Sequence, residues 1–204
     1  EQSYLPEMLE KSAFDTICHE HLTYYSLKQI EFIMKKANLR VFDAKLNKAN
    51  GGSFNIKVCK KNSKISIRKS VLSLRKFEKH YYKNKNIFNN FRIRIEKLKK
   101  KLLNKLNKHK NLGRSIYALG ASTKGNILLQ YYNLDKKIIS AIGEVNRKKF
   151  GKYTPGTKIK IVNENTLLKK TNCVYLIMPW HFRSSFINNK KFKNKIKIFP
   201  LPEV

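Results

Sequence analysis

The sequence predicts a mixed α/β protein in which an antiparallel strand pair and a charged helical stretch precede a small parallel sheet. Three observations carry that prediction. Apolar residues alternate on both sides of the turn-forming "NKANGGS", between "LRVFDAKL" and "FNIKVCK". They recur at helical spacing from about Lys69 to Lys110. Beyond Gly113, apolar strand segments and short helical segments follow one another, and strands alternating with helices call for parallel pairing with right-handed crossovers.

In chain order, residues 4–12 read as a short helix or its end. "SLKQIEFIMKKAN" carries Leu27, Ile30, Ile33, Met34 and Ala37 on one helical face, and Asn38 supplies a stop. Leu39, Val41 and Phe42, then Phe54, Ile56 and Val58, form two strands joined by a Gly-rich connection. A two-stranded hairpin is marginal by itself, so this pair is expected to complete a larger sheet. Two charged helices follow. The first carries Val71, Leu72, Leu74, Arg75 and Glu78, the second Phe91, Ile95, Leu98, Leu102, Leu103 and Leu106, and Gly113 ends the second in the position after the cap.

"RSIYALG" is a buried strand, "STKGNILLQYY" a helix and "KIISAIG" a second strand. "TKIKIV" is a short third strand, "NENTLLKK" a helix capped by Asn163 or Asn165, "CVYLIMP" a strongly apolar strand, and "KIKIFPLP" closes the chain. This rhythm is that of a small Rossmann-like domain.

Composition sets the outer bounds. With 204 residues, 41% hydrophobic content, 12 Phe and 10 Tyr, the chain has core enough for one medium or two small globular domains. The formal charge of +32 invites a nucleic-acid reading. The excess is 37 Lys against 8 Arg, spread along the whole chain. Arg is the better residue for bidentate recognition, so this pattern describes a solvated surface and no nucleic acid is expected.

Cys18, Cys59 and Cys173 lie far apart and form neither a CxxC pair nor a disulfide framework, which fits a reducing, cytoplasmic setting. No stretch reaches the ~20 apolar residues of a membrane span. The chain starts at Glu1 rather than Met, which is expected of a fragment or a split domain.

Two stretches carry chemistry. In "LGASTKGN", a Gly ends a buried strand and a helix starts near Thr123, so backbone N–H groups and the positive end of the helix dipole face outward. Ser122, Thr123 and Lys124 add hydroxyls and an ammonium suited to a phosphate or diphosphate. A tight turn that uses Gly for packing alone is the other reading. Glu144, after the second strand, stands where dinucleotide-binding sheets keep the acid for ribose hydroxyls, which would suit an NAD-dependent oxidoreductase. The missing GxGxxG counts against that.

"FDTICHEHLTYYS" gathers a thiol, two imidazoles and two carboxylates in one segment. With no second ligand pair at zinc spacing, no metal site is expected. An imidazole with a neighbouring carboxylate suits a general base. A solvated polar loop is the alternative. The basic helix "KLKKKLLNKLNKHK" could separately serve an RNA- or membrane-surface-binding module, or simply turn its Lys face to water.

These two stretches, together with "NGGSFNIKV", "YALGASTKGNILLQYYNL", "IGEVNRKKFGKYTPGT", "IMPWHFR" and "FPLPEV", resemble in order the C-terminal half of the S-adenosylmethionine-dependent sugar C-methyltransferases. The resemblance implies an α/β fold made of the C-terminal part of a class I methyltransferase sheet, a helical connector and a small Rossmann-like parallel-sheet domain. The corresponding boundaries are 1–62, 63–112 and 113–204. The antiparallel pair would then end the methyltransferase sheet.

The resemblance also implies C-methylation of a nucleotide-linked keto-deoxy sugar. A base removes the proton beside the keto group, and the resulting enolate attacks the cofactor methyl. His21 matches the base and Glu20 a catalytic carboxylate. Cys18 stands where the family usually has Tyr, and with Tyr24 it belongs to the substrate side. Ser122, Lys124 and Asn126 would hold the nucleotide diphosphate. Most of the S-adenosylmethionine site is expected in a missing N-terminal methyltransferase segment.

Overall fold

In the computed structural model, which describes residues 1–204, the alternation around "NKANGGS" becomes a three-stranded antiparallel sheet. Strand β1 (Gln2–Ser3) leads into helix α1 (Leu5–Glu10). Helix α2 (Leu27–Lys36), strands β2 (Leu39–Asn47) and β3 (Ser53–Lys60) and helix α3 (Lys69–Tyr81) follow. The order is β1-β3-β2, so the predicted pair has a third strand on the outer edge of β3. Val41 pairs with Val58 and Asp43 with Lys57, which leaves Phe42 as the extra residue of a β-bulge. The adjacent bulky pair Val41–Phe42 in the sequence is the trace of it.

Tyr4, Leu27, Val41, Phe54, Val71 and Leu74 pack together beneath this sheet. Glu78, which the sequence places on the apolar stripe of α3, is buried for a polar reason. Its carboxylate accepts the Tyr4 hydroxyl at 2.9 Å and the first backbone N–H groups of α2, Leu27 at 2.6 Å and Lys28 at 3.1 Å. A helix start has N–H groups without intrahelical partners, and an anion from another helix satisfies them.

Helix α4 spans Ile87–Asn111. Its stripe is Ile95, Leu102 and Leu106, all buried, and each contributes roughly 1.5–3 kcal/mol by leaving water. Lys100, Lys101, Lys105 and Lys108 on the other side are exposed, as for an ordinary solvated face. Gly113 ends the helix at φ +69°, with its N–H bonded to the Lys110 carbonyl at 2.9 Å. No helix is long and apolar enough to cross a membrane.

The later elements are β4 (Ser115–Leu119), α5 (Thr123–Tyr131), β5 (Ala141–Glu144), β6 (Ile161–Asn163), α6 (Glu164–Leu168), β7 (Cys173–Ile177), α7 (Arg183–Asn188) and β8 (Ile196–Ile198). The sheet is wholly parallel in the order β6-β5-β4-β7-β8. Strand β5 is shorter than "KIISAIG" suggests. Asp135 holds residues 137–139 in a turn, taking the Lys137 N–H on its side chain and the Ile138 and Ile139 N–H groups on its carbonyl. Asn163, rather than Asn165, caps α6.

By its internal contacts the chain forms two units: Glu1–Phe14 with His21–Ile93, and Asp15–Glu20 with Arg94–Val204. The division falls within α4, and the short segment 15–20 belongs with the parallel sheet.

Candidate functional site

From β4 the sheet grows one way through β5 and β6, then the chain returns to the other side of β4 for β7 and β8. Connections leaving neighbouring strands in opposite directions open a crevice outside their carboxyl ends, the usual ligand position in open α/β sheets. Here that switch point lies between Leu119 and Ile177, so the turns 120–122 and 178–181 form its lip.

These turns are tightly tied. The Met178 N–H donates to the Leu119 carbonyl at 3.0 Å, and the Gly120 N–H to the Gly143 carbonyl at 2.8 Å. Gly120 has φ +90°, and a Cβ there would come 2.7 Å from Pro179 Cδ. No other residue fits that approach. Ser122 acts as the N-cap of α5, its Oγ accepting the Gly125 N–H at 3.1 Å.

Glu144 fastens the turn from below. Its Oε2 accepts the Ala121 N–H at 3.0 Å, and its Oε1 accepts those of Val145 at 2.8 Å and Asn146 at 3.1 Å. Lys149 lies 3.7 Å from Oε2 and donates to the Ala121 carbonyl at 2.7 Å. Burial works to raise the Glu144 pKa. The N–H groups of Asn146 and Val145, the Lys149 cation and the Ala121 N–H outweigh it, and the carboxyl is held below its ordinary range. Both oxygens are thus engaged in shaping the turn. The oxyacid that an NAD-dependent reading would assign to a ribose is spent on backbone, and that reading loses its support.

The segment from the "CHEH" motif meets this lip. Asp15 is 1% exposed, and its Oδ2 accepts the Trp180 indole N–H at 2.8 Å. Glu20 Oε1 lies 3.4 Å from the Thr123 hydroxyl, which donates to it, and Cys18 Sγ is 3.8 Å from Glu20 Oε2. Burial lowers the pKa of Lys124, against the pull of the Asp15 carboxylate and the Cys18 sulfur near it. His181 is pushed down to about 4 by burial first and by the Lys124 cation second, so it is neutral at physiological pH. Asn126 Oδ1 and His181 Nδ1 are shielded from solvent without a hydrogen-bond partner in the protein.

Of the candidate residues, Cys18, Glu20, Ser122, Lys124 and Asn126 all lie in the unit built on the parallel sheet. His21 and Tyr24 lie in the other unit, where the Tyr24 hydroxyl donates to the His21 carbonyl at 2.9 Å. The adjacent Glu20 and His21 sit in irregular backbone, which frees them from strict alternation. His19 is almost fully in water, 3.9 Å from Glu20. Sequence reasoning missed Asp15, Trp180 and His181. The available signals were an acid wedged between Phe14 and Thr16 and the lone Trp directly after an apolar strand and Pro179.

The sequence model of the C-methyltransferase C-terminal domain matches residues 48–202. C-methyltransferase NovU of Streptomyces niveus is 27% identical over 207 aligned residues, which take in 100% of this chain and 49% of that protein. The chain therefore spans about half the length of the curated relative it matches. With most of its residues, and all of the parallel sheet, under one family description, the chain belongs to the C-methyltransferase C-terminal domain family.

Proposed function

We propose that this chain is the substrate-holding part of an S-adenosylmethionine-dependent C-methyltransferase acting on a nucleotide-linked keto-deoxy sugar. One observation carries the reading: the carboxylate of Glu20 meets Thr123 at the start of α5, on the switch-point lip. The Glu20 carboxylate and a diphosphate-type helix start thus share one unit. The relative whose name is C-methyltransferase supports the reaction class.

In this reading the nucleotide diphosphate rests on the Thr123–Lys124 start of α5, whose dipole and ammonium favour an anion. The Ala121 N–H does not take part, because Glu144 holds it. Ser122 keeps the turn in shape, and Asn126 offers its unpartnered amide oxygen to a donor on the substrate. By the family resemblance His21 is the base for the carbon beside the keto group and Tyr24 a substrate residue, while Glu20 and Cys18 are the carboxylate and thiol that the parallel-sheet unit brings to the sugar.

The residues of the parallel sheet do not fit S-adenosylmethionine. The one acid placed to bind a ribose, Glu144, is buried with both oxygens bonded to backbone. The cofactor belongs to another part of such an enzyme. The reading also places the protein in the cytoplasm, where its substrates and reduced thiols belong.

Titration calorimetry with a nucleoside diphosphate tests the proposal. The chain should bind it with a Kd of about 10–1000 μM, and Lys124→Ala should weaken binding roughly tenfold, the loss of one charge-assisted contact. S-adenosylmethionine should give no heat. Tight cofactor binding without diphosphate binding would overturn the reading. In a full-length enzyme carrying this chain, His21→Ala should abolish methyl transfer and spare nucleotide affinity.

A further inference from the structure

We infer that Asp15 and Trp180 are positioning residues, a buried anchor that holds the Cys18–Glu20 loop at the switch-point lip. The inference rests on the site proposed above for its use, but the anchor itself stands on geometry. Asp15 is 1% and Trp180 4% exposed, and their 2.8 Å hydrogen bond joins positions 165 residues apart. Trp180 follows β7 at the lip, and Asp15 sits in the short 3-10 turn Phe14–Thr16, immediately before the loop.

The loop itself has little to fix it. Ile17 is 48% and Leu22 90% exposed, and the stretch between them has no regular structure. Its holds are few and mostly local: the Cys18 N–H on the Thr16 carbonyl at 3.0 Å, the Cys18 thiol near Glu20 at 3.8 Å, the Tyr24 hydroxyl on the His21 carbonyl at 2.9 Å, and the solvent-exposed Glu20–Thr123 contact at 3.4 Å. Solvent-exposed polar contacts of this kind open readily, whereas a buried bond leaves both partners unpaired when it breaks. The place of Cys18 and Glu20 is therefore set at the root of the loop rather than along it.

Because Trp180 is the single Trp, its indole N–H gives one resolved proton–nitrogen resonance in the full chain. Cys18 reports the loop by its rate of alkylation in a Cys59→Ser background, with Cys173 buried. Asp15→Ala should speed exchange of the indole proton and alkylation of Cys18 about tenfold or more, as local opening does. Backbone exchange in β4 and β7 should stay unchanged.

Asp15→Asn, which keeps an acceptor but not the charge, should restore both rates to within about twofold. Trp180→Phe, which keeps a ring and loses the donor, should raise Cys18 alkylation as Asp15→Ala does. Unchanged rates in both disrupting variants, or acceleration spread equally through β4 and β7, would overturn the inference. A chain that shows the anchor response yet binds no nucleoside diphosphate would refute the proposed function and leave the anchor standing.

Discussion

Replacing Glu144 by Gln keeps the shape of the side chain and removes its charge, which isolates what the carboxylate does for the turn after β4. In the native protein one oxygen takes two backbone N–H groups, from Val145 and Asn146, and the other takes that of Ala121. An amide has a single oxygen. If it stays on the Val145–Asn146 pair, its NH2 group faces the Ala121 N–H and the Lys149 ammonium, donor against donor. A hydrogen bond to a charged group contributes about 1.5–3 kcal/mol, and an orphaned buried N–H costs a similar amount, so the loss should be roughly 3 kcal/mol.

Urea unfolding followed by Trp180 emission reads the unit that contains the parallel sheet, since that unit holds the only Trp. With a slope of about 2 kcal/mol per molar, the midpoint should fall by roughly 1.5 M. The pH dependence follows from the lowered pKa. A depressed carboxyl stabilises fully above its ordinary value of 4.5 and loses that contribution as pH falls through the lower folded value. The gap between parent and Glu144→Gln should therefore be widest near neutrality and close below the ordinary carboxylate range. A midpoint unchanged at neutral pH, or a gap of equal size under acid conditions, would refute the reasoning.

Two further outcomes follow from the same lip. His181, held neutral with a pKa of about 4, binds fewer protons folded than unfolded between that value and its ordinary 6.5, so stability drops as pH falls through this window. His181→Gln should flatten the drop, measured as urea midpoints across that range. Gly120→Ala puts a Cβ 2.7 Å from Pro179 Cδ at positive φ, and should destabilise the parallel-sheet unit by about 2–4 kcal/mol in the same assay.

Much of the fold was legible because periodicity and capping follow local rules. The strands "SIYAL" and "CVYLI" are apolar throughout, as strands covered on both faces must be, and Ser122 and Asn163 cap the helices that follow. The errors came from longer-range effects. "KIIS" has strand-like residues, but Asp135 captures its backbone in a turn. Glu78 sits on an apolar stripe because α2, some fifty residues earlier, needs an anion at its start.

The site shows the same division. Glu20, Ser122 and Lys124 stood out by residue type. Asp15 and Trp180 did not, since their importance lies in a pairing across 165 positions that no local pattern records. Glu144 stands where such sheets keep an acid for a ribose, yet its carboxylate completes the turn after β4.

The surplus residue in β2 changes the parity of the strand. Ahead of Phe42 the odd-numbered Leu39 and Val41 share a face with Lys60 and Val58; after it the even-numbered Ala44 and Leu46 share that face with Ile56 and Phe54. One inserted side chain lets Val41 and Ala44, one from each half, both reach the same core. An alignment that slides this strand by a single position, ignoring the insertion, exchanges inside for outside along half its length.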